Sequence, residues 1–151
     1  MEVLYPRCAG LDVHKATVVA AVRLAAGGRV AREVRTFATT TAGLLELAEW
    51  LAGNGCTRVA MEATGVYWRP VWHVLAEGGL TLVLANAAQV RNVPGRRKTD
   101  VGDAAWLAEL PAHGLVRASF VPDGPTRELR SLLRTRKQLA REKASHTLRL
   151  Q

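Results

Sequence analysis

Four acidic residues in this chain have the types and spacing to do chemistry: Asp12, Glu62, Asp100 and Asp103. They fall in three short stretches, Gly10-Leu11-Asp12-Val13-His14-Lys15, Met61-Glu62-Ala63-Thr64-Gly65 and Lys98-Thr99-Asp100-Val101-Gly102-Asp103-Ala104. The 151 residues include only four aspartates, and three of them lie in these stretches. Magnesium takes hard oxygen ligands and keeps several waters, so two or three carboxylates plus phosphate oxygens complete its shell. Two such ions about 4 Å apart activate an attacking oxygen and stabilise a leaving one. The chemistry indicated is divalent-metal binding beside a phosphodiester. Each acid also has a plainer account. Asp-x-x-Asp opening a helix is an ordinary capping arrangement, favoured by the helix dipole, and an aspartate after a strand is commonly a turn-former. Glu62 fits the plainer account least, because it sits in an apolar run and a buried carboxylate needs a partner.

The elements that must position these residues follow from periodicity. Residues 8–13 read as a short buried strand, residues 17–24 as a second and residues 29–36 as a third, with Gly27-Gly28 as the hairpin turn. Thr39-Thr40-Thr41 offers N-cap hydroxyls to a helix carrying Leu44, Leu45, Leu47, Ala48 and Leu51, stopped by Gly53-Asn54-Gly55. Residues 57–61 form a strand running into Glu62. Residues 66–77 form a second helix with Val71, Trp72, Leu75 and Ala76 on its apolar face. Residues 80–85 form a fifth strand, apolar throughout and therefore buried on both faces. Crossovers of this length make the later strands parallel, so the expectation is an α/β fold with a mixed sheet and helices on both faces. Asp12 and Glu62 then end neighbouring strands, where open α/β sheets form a ligand crevice. Residues 86–92 suggest a short helical segment and 93–98 a basic loop. A helix over 100–113, which Pro111 should end early, places Asp100 and Asp103 on one face. Residues 116–124 read as irregular or a short strand, and a long basic helix starts at Thr126.

Composition bounds the rest. A hydrophobic fraction of 48% argues against disorder. No apolar run approaches the roughly 20 residues that span a bilayer, so no membrane partner is expected. Two cysteines, Cys8 and Cys56, without metal-ligand spacing fit inert reduced thiols in a cytoplasmic protein. The formal charge is +8. Seventeen arginines against four lysines suit phosphate and base contacts, though a GC-rich coding sequence produces the same bias. Residues 117–151 hold nine basic and three acidic side chains, so the excess is concentrated in the last quarter. Candidate nucleic-acid contacts are Lys15, the loop residues Arg96, Arg97 and Lys98, and the helical residues Arg127, Arg130, Arg134, Lys137 and Arg141. His14 stands beside Asp12 as a hydrogen-bonded neighbour, a ligand or a proton shuttle. Tyr67 and Trp68 could stack on a base; Trp68 and Trp72, four apart, favour core packing, as do Trp50 and Trp106.

The three acidic stretches, continued as Met61-Glu62-Ala63-Thr64-Gly65-Val66-Tyr67-Trp68 and preceded by Arg96-Arg97-Lys98, resemble the N-terminal catalytic domain of the DEDD insertion-sequence transposases. These are RuvC-like, bridge-RNA-guided recombinases. The resemblance runs from residue 8 into the basic helix. It implies an RNase H-like fold over residues 1–116, with 117–151 a basic linker and the start of a coiled-coil helix. It implies that Asp12, Glu62, Asp100 and Asp103 form an acidic tetrad for magnesium or manganese. It further implies DNA and a guide RNA as partners and a homo-oligomer formed through the C-terminal helix. Proteins of this family continue to a C-terminal domain with a nucleophilic serine. Here Ser119, Ser131 and Ser145 all lie outside the acidic stretches, and the last helix has no stop signal. The expectation is a truncated chain that does not complete strand exchange alone. One competing reading is a catalytically incompetent module that binds nucleic acid or subunits. Another is an actin-like sugar kinase or ATPase, which the glycine-free turn Val13-His14-Lys15-Ala16-Thr17 disfavours.

Overall fold

The structure, a computed structural model, describes residues 4–62, 65–86 and 100–150, with Asp100 and Val101 described in backbone only. The chain divides into two compact units, Met1–Ser119 and Phe120–Gln151.

In the first unit, strands β1 (Arg7–Val13), β2 (Thr17–Ala26) and β3 (Arg29–Ala38) are followed by helix α1 (Thr41–Gly53), strand β4 (Arg58–Glu62), helix α2 (Trp68–Ala76), strand β5 (Thr81–Ala85) and helix α3 (Asp100–Ala112). The sheet order is β3-β2-β1-β4-β5. β1, β2 and β3 form the expected antiparallel meander, and β4 and β5 are parallel to β1. β1 is central, and its residues 8–11 are all buried. Side-chain alternation divides the sheet into two faces. Leu11, Val18, Val22 and Met61, all fully buried, line the face away from α3. There α1 brings Leu44, Leu47 and Leu51, and Trp50 meets Phe37 of β3 with ring centroids 5.4 Å apart. On the opposite face, Val19 and Ala21 pack against Ala104 and Ala108 of α3, and Ala85 packs against Leu107 and Leu110.

α3 lies against the sheet at backbone distance. A Cβ on Gly10 would stand 2.3 Å from both the Ala104 carbonyl oxygen and the Ala108 amide nitrogen. Only glycine permits this approach.

The helix ends follow from local chemistry. The Thr40 hydroxyl accepts the Gly43 amide at the start of α1. Gly55, at φ +64°, ends that helix, with the Cys56 amide reaching the Leu51 carbonyl and the Gly55 amide the Ala52 carbonyl. Three sequence expectations shift, the last helix starting at Gly124 rather than Thr126. The second helix begins at Trp68, because residues 65–67 form a turn around Gly65 at φ +58°. Pro111 does not end α3 early; the helix runs through it to Ala112. Gly114 at φ +69° supplies the stop instead, with amide bonds from Leu115 to Leu110 and from Gly114 to Pro111. A proline in the final turn deletes one amide bond and leaves that cap intact. The segment after α3 closes on β5 through a bridge between Ala85 and Ala118 and the bond from the Ser119 amide to the Leu84 carbonyl. The short helix expected over 86–92 and the basic loop over 93–98 lie outside the described residues, Asn86 excepted.

The second unit is helix α4 (Gly124–Arg149). The Asp123 carboxylate accepts the Thr126 amide, which holds that carboxyl below its ordinary value, and Pro125 occupies the first turn. None of its side chains is buried within the chain; Leu129, Leu132, Leu133 and Leu139 are all more than half exposed. No described helix is long and apolar enough to cross a membrane.

Two substitutions contrast crowded and open glycines. Gly10→Ala should cost about 1–3 kcal/mol or more, since backbone must move to admit the methyl group. Gly53→Ala, at a helical position with nothing within 4 Å, should gain about 0.4–1 kcal/mol. Urea unfolding of the two variants against the native chain measures both.

Candidate acidic site at the carboxyl edge of the sheet

Parallel pairing of β1 with β4 ends at the couple Leu11 and Met61. Asp12 and Glu62 are each the next residue along, on strands that run about 4.8 Å apart. Asp12 also faces Val19 across β2, and Glu62 faces Ala85 across β5. Val19 and Ala85 both pack on α3, so the two carboxylates emerge on the face that α3 covers. Both are largely desolvated: the Asp12 side chain is 17% exposed and Glu62 is 8% exposed. The plainer account of Glu62 as a solvated surface residue is thereby excluded.

His14 reaches back across the strand end, with Nε2 3.3 Å from Asp12 Oδ2. It is therefore the neighbour of an acid, held in a turn whose His14 amide bonds to the Thr17 carbonyl. Lys15 is exposed in the same turn. Asp103 is half-buried in α3, one residue before Ala104, which is in contact with the β2 face. Asp100 opens α3, but its side chain lies outside the described residues. Among the described residues no three His, Cys, Asp or Glu side chains stand together as a ready metal cluster. The fold thus pairs Asp12 and Glu62 on adjacent strand ends and sets Asp103 on the helix above the same face.

Of the candidate nucleic-acid contacts, Arg96, Arg97 and Lys98 lie outside the described residues. Arg127, Arg130, Arg134, Lys137 and Arg141 are all exposed on α4. Their alternating three- and four-residue spacing draws one stripe along the helix, and at 100° per residue Leu129, Leu132, Leu133 and Leu139 centre on the far side. Trp68 and Trp72 meet edge to face with centroids 5.9 Å apart, in keeping with packing. Cys8 and Cys56 are buried free thiols, each pushed up to about 11 by burial. Both are inert at neutral pH.

One cluster escaped the sequence reading. Arg23 is 4% exposed in β2, and its Nε donates to Glu109 Oε2 of α3 at 2.7 Å. Arg32, the partner of Arg23 across β3, donates to Glu109 Oε1 through Nε at 3.1 Å and also through Nη2. His113 Nε2 lies 3.5 Å from Glu109 Oε2. The available signal was a single arginine within the Val- and Ala-rich run 17–26, since a charge in such a strand requires a partner. Burial pushes the Glu109 carboxyl upward; the two arginine hydrogen bonds and charges outweigh it, and the carboxyl settles below its ordinary value.

A five-stranded mixed sheet in the order β3-β2-β1-β4-β5, with helices packed on it, places the chain in the RNase H-like fold class. Thermus thermophilus (T. thermophilus) RuvC, solved in complex with a Holliday junction substrate, shares this fold at TM-score 0.55 and 13% identity, covering 75% of this chain and 99% of that one. The Aquifex aeolicus member of the Ppx/GppA family matches at TM-score 0.38 and 14% identity, over 56% of this chain and 36% of its own. No curated protein matches in sequence. The family model DEDD_Tnp_IS110, described as a transposase, matches residues 9–151. The chain belongs to that transposase family.

A depressed glutamate stabilises the folded chain above its ordinary titration range, and that stabilisation is lost as pH falls through the folded-state value. The stability gap between the native chain and Glu109→Gln should therefore be widest near neutral pH and narrow below about pH 4.5. Urea midpoints measured across pH 3–7 for both proteins check the sign.

Proposed function

We propose that this chain is the catalytic domain of a DNA transposase that moves an insertion sequence, with Asp12, Glu62, Asp100 and Asp103 as its metal-binding acids. The single observation carrying this reading is the pair of desolvated carboxylates, Asp12 and Glu62, on neighbouring strand ends beneath a helix that bears Asp103. The donor set fits magnesium or manganese. Magnesium is commonly held by one or two carboxylates together with waters and substrate phosphates, rather than by an all-protein cage. When bound, the metal would polarise the phosphoryl oxygen and lower the pKa of an attacking hydroxyl or water.

The chain's own residues have separable tasks in this reading. Asp12 and Glu62 supply anionic oxygens from rigid strands, and burial keeps competing water away from them. Asp103 and Asp100 add oxygens from the first turn of α3. His14 orients Asp12 through Oδ2. Lys15, in the adjoining turn, and Arg96, Arg97 and Lys98, just ahead of Asp100, contact phosphates and fix the register of the nucleic acid without reading its sequence. The α4 stripe from Arg127 to Arg141 binds the backbone of DNA or of a guide RNA, while its leucine face joins a second copy of the helix.

Calorimetric titration with manganese should show binding by the native chain and its loss in Asp12→Asn and in Glu62→Gln. Equal binding by all three would sink the metal site and leave a nucleic-acid- or subunit-binding module. For α4, Arg134→Ala should weaken DNA or RNA binding without regard to sequence and reduce the slope of log affinity against log salt by about one. An unchanged slope would remove that arginine from the contact.

A further inference from the structure

We propose that Glu109 is a positioning residue: clamped by Arg23 and Arg32, it fixes the axial register of α3 on the sheet and so places Asp103 relative to Asp12 and Glu62. This rests on the reading of the acidic edge as a metal site. Its basis is an asymmetry in how α3 is held. The seam beneath the helix is made of Gly10, Val19 and Ala21 on the sheet and Ala104 and Ala108 on the helix. On the β5 side, Leu107 and Leu110 pack on another small residue, Ala85. Such a surface admits close approach and buries area. Apolar contacts are non-directional, however, and carry none of the angular requirement of a charged hydrogen bond.

The Glu109 cluster is directional. Arg23 and Arg32 are Cα partners across β2 and β3, so their starting points are fixed by the sheet. Arg23 Nε occupies one carboxylate oxygen and the Arg32 fork occupies the other. Sliding α3 by one step would break this arrangement. Glu109 lies six residues from Asp103, about 9 Å along a rigid helix, so a register fixed at one is transmitted to the other. The cluster is costly as a source of stability. The Arg23 side chain is 5% exposed and its Nη1 has no hydrogen-bond partner among the described residues. Apolar residues of similar volume commonly match or exceed a buried ion pair in stability. Placement is what an apolar replacement would not supply.

The test separates stability from placement. The double variant Arg23→Met with Glu109→Leu removes the buried pair and leaves no buried arginine stranded, the remaining Arg32 side chain being 54% exposed to water, whereas Glu109→Gln strands Arg23 and should unfold more easily. The double variant should melt at or above the native temperature. In its proton resonance spectra the cross-peak from the Gly10 Hα protons to the Ala108 amide proton should weaken or move to neighbouring residues. Manganese affinity should fall, by no more than the roughly 10-fold lower end of the loss that follows removal of a group bonded directly to a metal ligand. A double variant that keeps the native Gly10 cross-peak overturns the positioning role. Should the native chain bind no manganese, the metal-site reading fails, and the Gly10 cross-peak still decides the clamp.

Discussion

The contact on which this structure depends is the backbone approach of α3 to β1 at Gly10. β1 is the central strand, bonded to β2 on one side and β4 on the other. A helix that settles directly on its backbone is brought close to the strand end only two residues away, where Asp12 stands. The same closeness requires small residues nearby, and Ala21, Ala60, Ala85, Ala104 and Ala108 meet it, all 1% exposed or less. Larger side chains would lift α3 and carry Asp103 away from the sheet. The opposite face has no such requirement. It is filled by Leu44, Leu47, Leu51, Val71 and Leu75 from α1 and α2, each worth roughly 1.5–3 kcal/mol of burial. Stability is thus concentrated on one face and proximity on the other.

Electrostatics follows the same division along α3. At its C-terminal half, Glu109 receives two arginines and is fully ionised at neutral pH. At its N-terminal half the carboxylates stand at the edge of the sheet, and His14 is the imidazole beside Asp12. One helix therefore carries a carboxylate committed to protein cations at one end and an aspartate at the other that the metal reading assigns to a ligand.

Much of this was legible in the sequence because its causes are local. Alternation and apolar runs located the five strands, and the length of the crossovers fixed which are parallel. The motif residues Asp12 and Glu62 were legible as strand ends because glycine or a turn follows each. Three features were less accessible. Pro111 reads as a helix stop on its own, yet the deciding residue is Gly114, whose left-handed backbone closes the last turn. The start of α2 depends on the turn at Gly65. The Glu109 cluster joins residues 77 and 86 positions apart, and no local pattern encodes a pairing that only the placement of α3 on the sheet creates.

The spread of the acids over β1, β4 and α3 has its own physical logic if they bind metal. Two carboxylates at 4 Å repel by about 4 kcal/mol at an effective dielectric of 20, so four gathered on one rigid element would oppose folding. Two on neighbouring strands, with the others on a separately anchored helix, limit that repulsion and leave the final convergence to the cation and the phosphate it accompanies. Such a site requires α3 to be accurately placed before the ligand arrives, because the acids do not draw one another together. The apolar seam supplies closeness, and a directional contact elsewhere on the helix must supply the register. Among the described residues of α3, Glu109 has both the ionised bonds and the fixed partners for that task.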